Sequence, residues 1–262
     1  MWTYLWQNFL IDSKVRSYIA DKVYKLFHSS DSKCLIEIWP GKWAITKLID
    51  QTSPTFILIE KDPDLTVKLQ AKKENSELNF TQLINQDVLE VDVPSVLSQY
   101  SIPPSQTIVV WNLPYYITSP ILTKFFWLWK QDFAWWIFMV QDEVWERISS
   151  SANKKSYLRR ILNFAYEVKY LKQIWAKSFS PPPKVKSCLI ALTPKSSLPD
   201  IEFWDFVEFL DIYSPFSRKT LNAIQKISIK QDKKYYNIPE NLSKKRLEEL
   251  NFSDIKQIFD SK

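Results

Sequence analysis

The stretch Cys34-Leu35-Ile36-Glu37-Ile38-Trp39-Pro40-Gly41-Lys42-Trp43 decides the fold. Its first half is a short apolar run, typical of a buried strand, and its second half is a Pro-Gly turn that leads into a helical segment predicted at 43–50. Similar apolar runs follow at 55–60, 83–86, 106–110 and 137–140, with helical periodicity between most of them. Strands that alternate with helices require crossover connections, so the pattern predicts an α/β fold with a mainly parallel, doubly wound sheet.

The pattern changes after Pro194. Two further strands are predicted before it, at 168–174 and 187–192, and only helical segments after it, at 202–213, 217–227, 243–250 and 253–260. We therefore expect two domains, a doubly wound domain at 1–196 and a small all-helical domain at 197–262.

Charge is concentrated in one part of the chain. The net charge of all 262 residues is +6, but residues 147–195 alone hold 11 Lys and Arg residues and a single acid, Glu167. A local excess of this size attracts polyanions by steering and counterion release, although a solvated lysine-rich surface would give the same count.

The glycine and tryptophan contents are anomalous. The chain has one glycine, Gly41, and 12 tryptophans, whereas average usage would give roughly 18 glycines. Several tryptophans stand where turn chemistry favours glycine, among them Trp39 and Trp43 on either side of Gly41. Some genetic codes read one stop codon as glycine. Our hypothesis is that such codons were translated here as tryptophan; the alternative is a truly tryptophan-rich protein.

Three groups at strand ends suit a nucleoside-type cofactor. The turn that contains Trp39 and Gly41 follows the first strand, Glu60 ends the second, and Asp87 ends the third. Ligands of doubly wound sheets bind at the carboxyl ends of strands, where a glycine-rich turn admits the cofactor and an acid about 20 residues later accepts hydrogen bonds from ribose hydroxyls. Asp87 could accept a hydrogen bond from an adenine amine.

The fourth strand ends in Asn112-Leu113-Pro114-Tyr115. An adenine N6 amine is a poor nucleophile because its lone pair is delocalised into the ring. Hydrogen bonds from that amine to the Asn112 side-chain oxygen and the Leu113 carbonyl would localise the lone pair, and Tyr115 offers a face for an extruded base. Pro114 stiffens the turn. The four residues indicate methylation of an exocyclic amine.

Several motifs occur in the order typical of one family. They are Trp6-Gln7-Asn8-Phe9-Leu10, the 37–43 turn, Asn112–Ile117, Gln141-Asp142-Glu143-Val144, Phe179-Ser180-Pro181-Pro182-Pro183-Lys184-Val185-Lys186-Ser187 and Phe216-Ser217-Arg218-Lys219-Thr220-Leu221. Together they resemble the rRNA adenine N6-dimethyltransferases over nearly the whole chain. The small-subunit branch, the kasugamycin-sensitivity methyltransferases, fits better than the large-subunit, macrolide-resistance branch. The chain departs from the family pattern at positions 39, 43 and 111, where tryptophan replaces glycine or another small residue.

The resemblance implies a Rossmann-like S-adenosylmethionine-dependent methyltransferase domain with a helical, RNA-binding C-terminal domain. It implies dimethylation of two adjacent adenines in a hairpin near the 3′ end of small-subunit rRNA, in a cytoplasmic pre-30S particle, by a monomer. The implied cofactor-binding residues are Asn8, Leu10, Trp39, Gly41, Glu60, Asp87 and Asn112. The residues expected to contact RNA phosphates are Arg147, Lys154, Lys155, Arg159, Arg160, Lys184, Lys186, Arg218 and Lys219.

Two other functions stay open at this point. One is the large-subunit rRNA adenine N6-methyltransferase of the macrolide-resistance type, and the other is a non-catalytic RNA-binding assembly or transcription factor. We expect no bound metal, because no Cys/His cluster has ligand spacing and His28 is the only histidine. We expect no membrane segment, and Cys34 and Cys188 are predicted to be buried free thiols.

Overall fold

The computed structural model describes residues 8–112, 133–149 and 157–261. They form two compact units. One contains the chain up to Glu146 together with Tyr166–Pro194, and the other contains Arg147–Ala165 together with the chain from Lys195 onward. The sequence pattern placed the boundary between 196 and 197, close to the change at Pro194. It did not separate 147–165 from the strands on either side of that segment.

The first unit is built on a seven-stranded sheet of order β4-β3-β2-β5-β6-β9-β7. β2 to β6 are parallel neighbours, and β9 and β7 are antiparallel additions at one edge. The strands are β2 Cys34–Ile38, β3 Thr55–Glu60, β4 Gln82–Asn85, β5 Thr107–Asn112, β6 Trp135–Gln141, β7 Tyr166–Ile174 and β9 Ser187–Pro194. The predicted doubly wound α/β fold is confirmed.

The order of the strands reverses at β2. From β2 the chain moves outward to β3 and β4, then returns to the other side of β2 to form β5 and β6. The carboxyl ends of β2 and β5 therefore flank the topological switch point, where doubly wound sheets bind their ligands. β2 is buried along its whole length, which fits a strand covered on both faces.

Helices of the first unit begin at residues suited to the role. Asp12 caps the first helix through hydrogen bonds from the backbone N–H groups of Lys14 and Val15, and Asp62 caps the third helix in the same way just before Pro63. The helices are α1 Ser13–Ser29, α2 Thr46–Ile49, α3 Pro63–Glu74, α4 Val93–Ser98 and α5 Asp142–Ile148, of which the last two residues belong to the second unit. Cys34 and Cys188 are buried and free, as expected.

One local expectation was wrong, and one strand pairing was missed. The helix predicted at 43–50 is only the single turn Thr46–Ile49, because the backbone of Trp43 has a positive φ that no right-handed helix can include. The pairing of β1 (Phe9–Leu10) with β8 (Phe179–Ser180) was not predicted. Strands of two residues are too short to show a period of two.

The second unit is helical around an aromatic core. Its helices are α6 Tyr157–Ala165, α7 Phe203–Tyr213, α8 Leu221–Lys230 and α9 Phe252–Asp260. Phe164 stacks on Phe206 with ring centres 5.0 Å apart, and both rings contact Phe252. The helix predicted at 243–250 is wrong: only Leu247–Glu249 forms a 3-10 turn. The third helix starts at Leu221 rather than 217.

Among the described residues, no helix combines the length and the apolar character needed to cross a membrane.

We expect Phe206→Ala to lower the free energy of unfolding by about 3–5 kcal/mol, because it removes a fully buried ring from the aromatic core. Ile229→Ala removes a side chain that is 52% exposed in the same unit and should cost less than about 1 kcal/mol. Urea unfolding of the full chain measures both. A Phe206→Ala protein as stable as the Ile229→Ala protein would contradict this assignment of the core.

Candidate active site

The carboxyl ends of three adjacent strands bring the predicted groups to one edge of the sheet. Ile38 of β2 is paired with Ile59 of β3 on one side and with Trp111 of β5 on the other. The residues that follow these positions, Trp39, Glu60 and Asn112, therefore share that edge. Parallel pairing alone brings together three segments that are distant in sequence, between Trp39 and Asn112.

Glu60 fixes the turn that follows β2. Its Oε2 accepts a hydrogen bond from the Gly41 backbone N–H at 3.1 Å, and its Oε1 accepts one from the Asp62 N–H at 3.0 Å. The Trp39 N–H donates to the Ile59 carbonyl at 2.8 Å. Glu60 is only 2% exposed, and burial raises its pKa above the ordinary value although the backbone donors act in the opposite direction. A carboxylate oxygen keeps a second lone pair, so a ribose hydroxyl could still donate to Glu60.

The N-terminal segment lies beside the same turn. β1 is held by β8 through pairing of Leu10 with Phe179. The Phe9 ring lies next to the turn, since a Cβ on Gly41 would be 3.7 Å from it, and the Lys42 ammonium lies 4.1 Å from the centre of that ring. Asn8 and Leu10 are therefore the sequence neighbours of Phe9, the residue that contacts the turn.

Asp87 lies two residues beyond β4 and is already paired. Its Oδ2 accepts from the Lys61 ammonium at 2.7 Å, and its Oδ1 accepts from the Leu89 N–H at 3.1 Å. Sequence reasoning missed Lys61. Its position directly after Glu60, at the end of the strand next to β4, was the signal that could have identified it.

Glu37 is a second buried acid that sequence reasoning did not assign to the site. It lies on β2 and is 4% exposed. Burial raises the pKa of its carboxyl to about 8, and the nearby charge of Glu60 acts in the same direction. Glu37 is therefore largely protonated at neutral pH, so it places no full negative charge beside Glu60.

Asn112 is the last residue of β5, paired in register with Met139 of β6. Its backbone lies at the switch point, as the sequence predicted. Leu113, Pro114 and Tyr115 lie outside the described residues. The assignment of all four residues to catalysis stays a prediction.

Tryptophan side chains occupy the space that a cofactor would need. The indole of Trp39 packs edge-on against that of Trp111, with ring centres 5.3 Å apart, between the ends of β2 and β5. The indole Nε1 of Trp39 is buried and has no hydrogen-bond partner. The acids of this edge suit an adenosine-type cofactor, whereas the indole of Trp39 does not fit beside one.

The predicted RNA-contacting residues have different surroundings. Five of them are exposed: Arg147, Lys184, Lys186, Arg218 and Lys219. Arg159 is half-buried, and Lys154 and Lys155 lie outside the described residues.

Arg160 does not fit the prediction. It is 6% exposed, and its guanidinium donates to the Leu247 carbonyl within the second unit. Burial lowers its pKa to about 10, so it still carries a charge at neutral pH. Its role is to hold the helical unit together, and it is not available to a phosphate.

Sequence reasoning missed two lysines of the edge strand β7. Lys169 and Lys172 are exposed, and so is Tyr170, which lies between them. The strand has a β-bulge between Tyr170 and Lys172. Strand pairing identified them, because β7 is the last strand of the sheet.

The chain matches the family model described as ribosomal RNA adenine dimethylase over residues 3–262. It belongs to the ribosomal RNA adenine dimethylase family. Curated relatives support the assignment. The chain is 31% identical to the ribosomal RNA small subunit methyltransferase A of Chlorobium limicola, over 97% of this chain and 90% of that protein. It is 32% identical to the protein of the same name from Mycoplasma mycoides subsp. mycoides, over 98% and 95%.

Two solved structures have a similar fold over nearly the whole chain. A dimethyladenosine transferase from Plasmodium falciparum superposes with a TM-score of 0.73 at 21% identity, covering 95% of each chain. The 23S rRNA methyltransferase ErmE superposes with a TM-score of 0.67 at 16% identity, covering 97% of this chain and 99% of that one. At these identities the likeness shows a shared fold.

Glu37 gives a prediction for the pH dependence of stability. Its carboxyl binds a proton more tightly in the folded chain, with a pKa of about 8, than its ordinary value of 4.5. The folded state therefore holds the extra proton between these two values, and the stability contribution of Glu37 falls as the pH rises through that interval.

Glu37→Gln should reduce this loss of stability between pH about 5 and about 9 by ~1 kcal/mol or more, since one pKa unit corresponds to about 1.4 kcal/mol. Chemical denaturation at several pH values measures it, with the exposed Glu90 changed to Gln as control. Parallel stability curves for the parent and Glu37→Gln would show that the carboxyl is not protonated in the fold.

Proposed function

We propose that this chain is an S-adenosylmethionine-dependent rRNA adenine dimethyltransferase that acts on the small ribosomal subunit. The observation that carries the proposal is the family match over residues 3–262, together with relatives about 30% identical that are named small subunit methyltransferase A. The target that this function implies is a pair of adjacent adenines in a 3′-terminal hairpin of 16S rRNA, methylated at N6 during ribosome assembly in the cytoplasm.

The residues at the end of β5 would prepare the adenine amine. S-adenosylmethionine supplies the methyl group when it is bound. Asn112 and the Leu113 carbonyl would accept the two N–H hydrogen bonds of the amine, so that its lone pair is directed at the incoming methyl. Because the methylated amine is a strong acid, it loses its proton to water and no dedicated base is needed. Catalysis on this account is mainly a matter of positioning.

The acids of the neighbouring strands would hold the adenosine part of the cofactor. Glu60 already fixes the backbone of the 37–43 turn, and its free lone pairs would accept from ribose hydroxyls. Asp87 would accept from the adenine amine of the cofactor, with Lys61 holding its carboxylate in place. Leu10 lies on the strand β1, whose Phe9 contacts this turn, and Asn8 directly precedes that strand.

RNA would bind through exposed cations of both units. In the first unit these are Lys184 and Lys186, together with Lys169 and Lys172 of β7, and in the second unit Arg218 and Lys219. Such residues position the phosphate backbone and carry no sequence information. We propose that the substrate is a pre-30S particle and that the enzyme acts as a monomer.

Two alternatives are less well supported. The large-subunit enzyme ErmE shares the fold, but the relatives that align at 31–32% identity carry the small-subunit name. A non-catalytic RNA-binding factor would not need Glu60, Asp87 and Asn112 together at the carboxyl ends of their strands.

The proposed function is tested with radiolabelled S-adenosylmethionine and ribosomal subunits from a strain that lacks the modification. The protein is made with Trp39→Gly and Trp43→Gly. We expect label in small-subunit rRNA, and primer extension that stops at two adjacent adenines near its 3′ end. Label confined to large-subunit rRNA, or absent although the cofactor binds, would overturn the proposal.

Asn112→Ala in the same background should slow methyl transfer on the order of 100-fold or more, because it removes a hydrogen bond made to the reacting amine. Filter binding of the RNA should change little. Asn241→Ala, at an exposed asparagine of the second unit, is the matched control and should keep full activity. Equal turnover by the Asn112→Ala and Asn241→Ala proteins would refute the assigned role.

A further inference from the structure

Two tryptophans of the 37–43 turn have backbone conformations that favour glycine. The φ angle is 54° at Trp39, 57° at Gly41 and 49° at Trp43, so alternate residues of one five-residue turn lie in the left-handed region. A bulky residue with such a φ is an outlier, whereas glycine adopts it at no steric cost. The backbone of the turn therefore favours glycine at positions 39, 41 and 43, and the sequence has glycine only at 41.

Elsewhere the described chain follows the ordinary rule. The other non-glycine residues with positive φ are Ser76, Ser101 and Asp232, which are small or short polar residues. Asp belongs to the few residue types enriched in this region. The two tryptophans are exceptions within this protein as well as in general.

Backbone hydrogen bonds, not the indoles, set the shape of the turn. The Trp39 N–H donates to the Ile59 carbonyl at 2.8 Å, and the Trp43 N–H donates to the Pro40 carbonyl at 3.0 Å. Between them, the Gly41 N–H donates to Glu60. These bonds need no side chain at 39 or 43, so glycine at both positions would keep them.

The indole of Trp39 is also poorly accommodated. Its Nε1 is buried without an acceptor, and a buried donor that has lost water costs free energy. Its ring lies against Trp111 at the switch point, the place where ligands of doubly wound sheets bind. Removing the side chain at 39 would open that place and remove this unsatisfied donor.

From these observations we infer that the protein made in its own cell has glycine at positions 39 and 43. The codons that give tryptophan at these two positions are decoded there as glycine. One reassigned codon explains the single glycine and the 12 tryptophans together, and it explains why the misfit falls on a turn that already contains Gly41. The backbone carries the inference for positions 39 and 43; Trp136, which packs between Phe133 and Phe138 in β6, has no such conformation.

Mass spectrometry of the protein isolated from its source cells tests the inference without reference to function. Trypsin cuts after Lys33, Lys42 and Lys47. Residues 34–42 and 43–47 are therefore separate peptides, the first with position 39 and the second with position 43. We expect both peptides to have the mass of the glycine form. Tryptophan in either peptide would overturn the inference for that position.

A binding measurement tests what glycine at position 39 would mean for cofactor affinity. S-adenosylhomocysteine, which cannot donate a methyl group, is titrated calorimetrically into the recombinant tryptophan-containing chain and into its Trp39→Gly and Trp39→Gly/Trp43→Gly variants. We expect the glycine variants to bind about tenfold tighter or more. Trp175→Gly, at a tryptophan that is 51% exposed, is the control and should bind like the parent.

The two outcomes are separable from those of the proposed function. Equal affinity of the parent and of a folded Trp39→Gly variant would overturn the steric consequence of the inference. Tight binding without methyl transfer to rRNA would instead count against the proposed function and leave the glycine assignment intact. The single variant keeps the test valid if the loss of Trp43, which packs on the core, prevents the double variant from folding.

Discussion

The hydrogen bond from the Gly41 N–H to the buried Glu60 carboxylate is the interaction on which the candidate site depends. It ties the turn after β2 to the end of β3. Burial raises the pKa of Glu60, whereas the N–H groups of Asp62 and Gly41 favour its ionised form, and the protonated Glu37 nearby adds no charge that would repel it. The position of the 37–43 turn then determines which side chain or ligand can lie between the ends of β2 and β5.

The chemistry follows from the order of strands in the sheet. β2 lies between β3 and β5, so an acid, a turn and an asparagine from three separate segments meet at one edge. An enzyme that transfers a methyl group to an amine needs this combination: groups that hold a nucleoside cofactor beside acceptors that hold the amine. In each unit, exposed cations would contact RNA phosphates, which is the proposed use of the positive charge concentrated in 147–195.

Much of the fold could be predicted from sequence because its strands are buried on both faces. Apolar runs such as Cys34–Ile38 and Thr55–Glu60 have no other stable place in a protein of this size. The failures have local causes. Phe9–Leu10 is too short to show periodicity, the helix at 43–50 was cut short by a positive φ at Trp43, and Arg160 was counted as surface charge although it binds the Leu247 carbonyl. At the site, position along strands predicted Glu60 and Asn112, but the Lys61–Asp87 pair depends on side-chain geometry.

We propose that the carboxyl ends of β2, β3 and β5 hold an adenosine-type cofactor once the indole at position 39 is absent. A crystal structure of the Trp39→Gly/Trp43→Gly protein with S-adenosylhomocysteine tests it most directly. We expect ligand density over the 37–43 turn, with the ribose hydroxyls within hydrogen-bond distance of Glu60 and the adenine near Asp87. Density at any other place, or an empty switch point at saturating ligand, would contradict it.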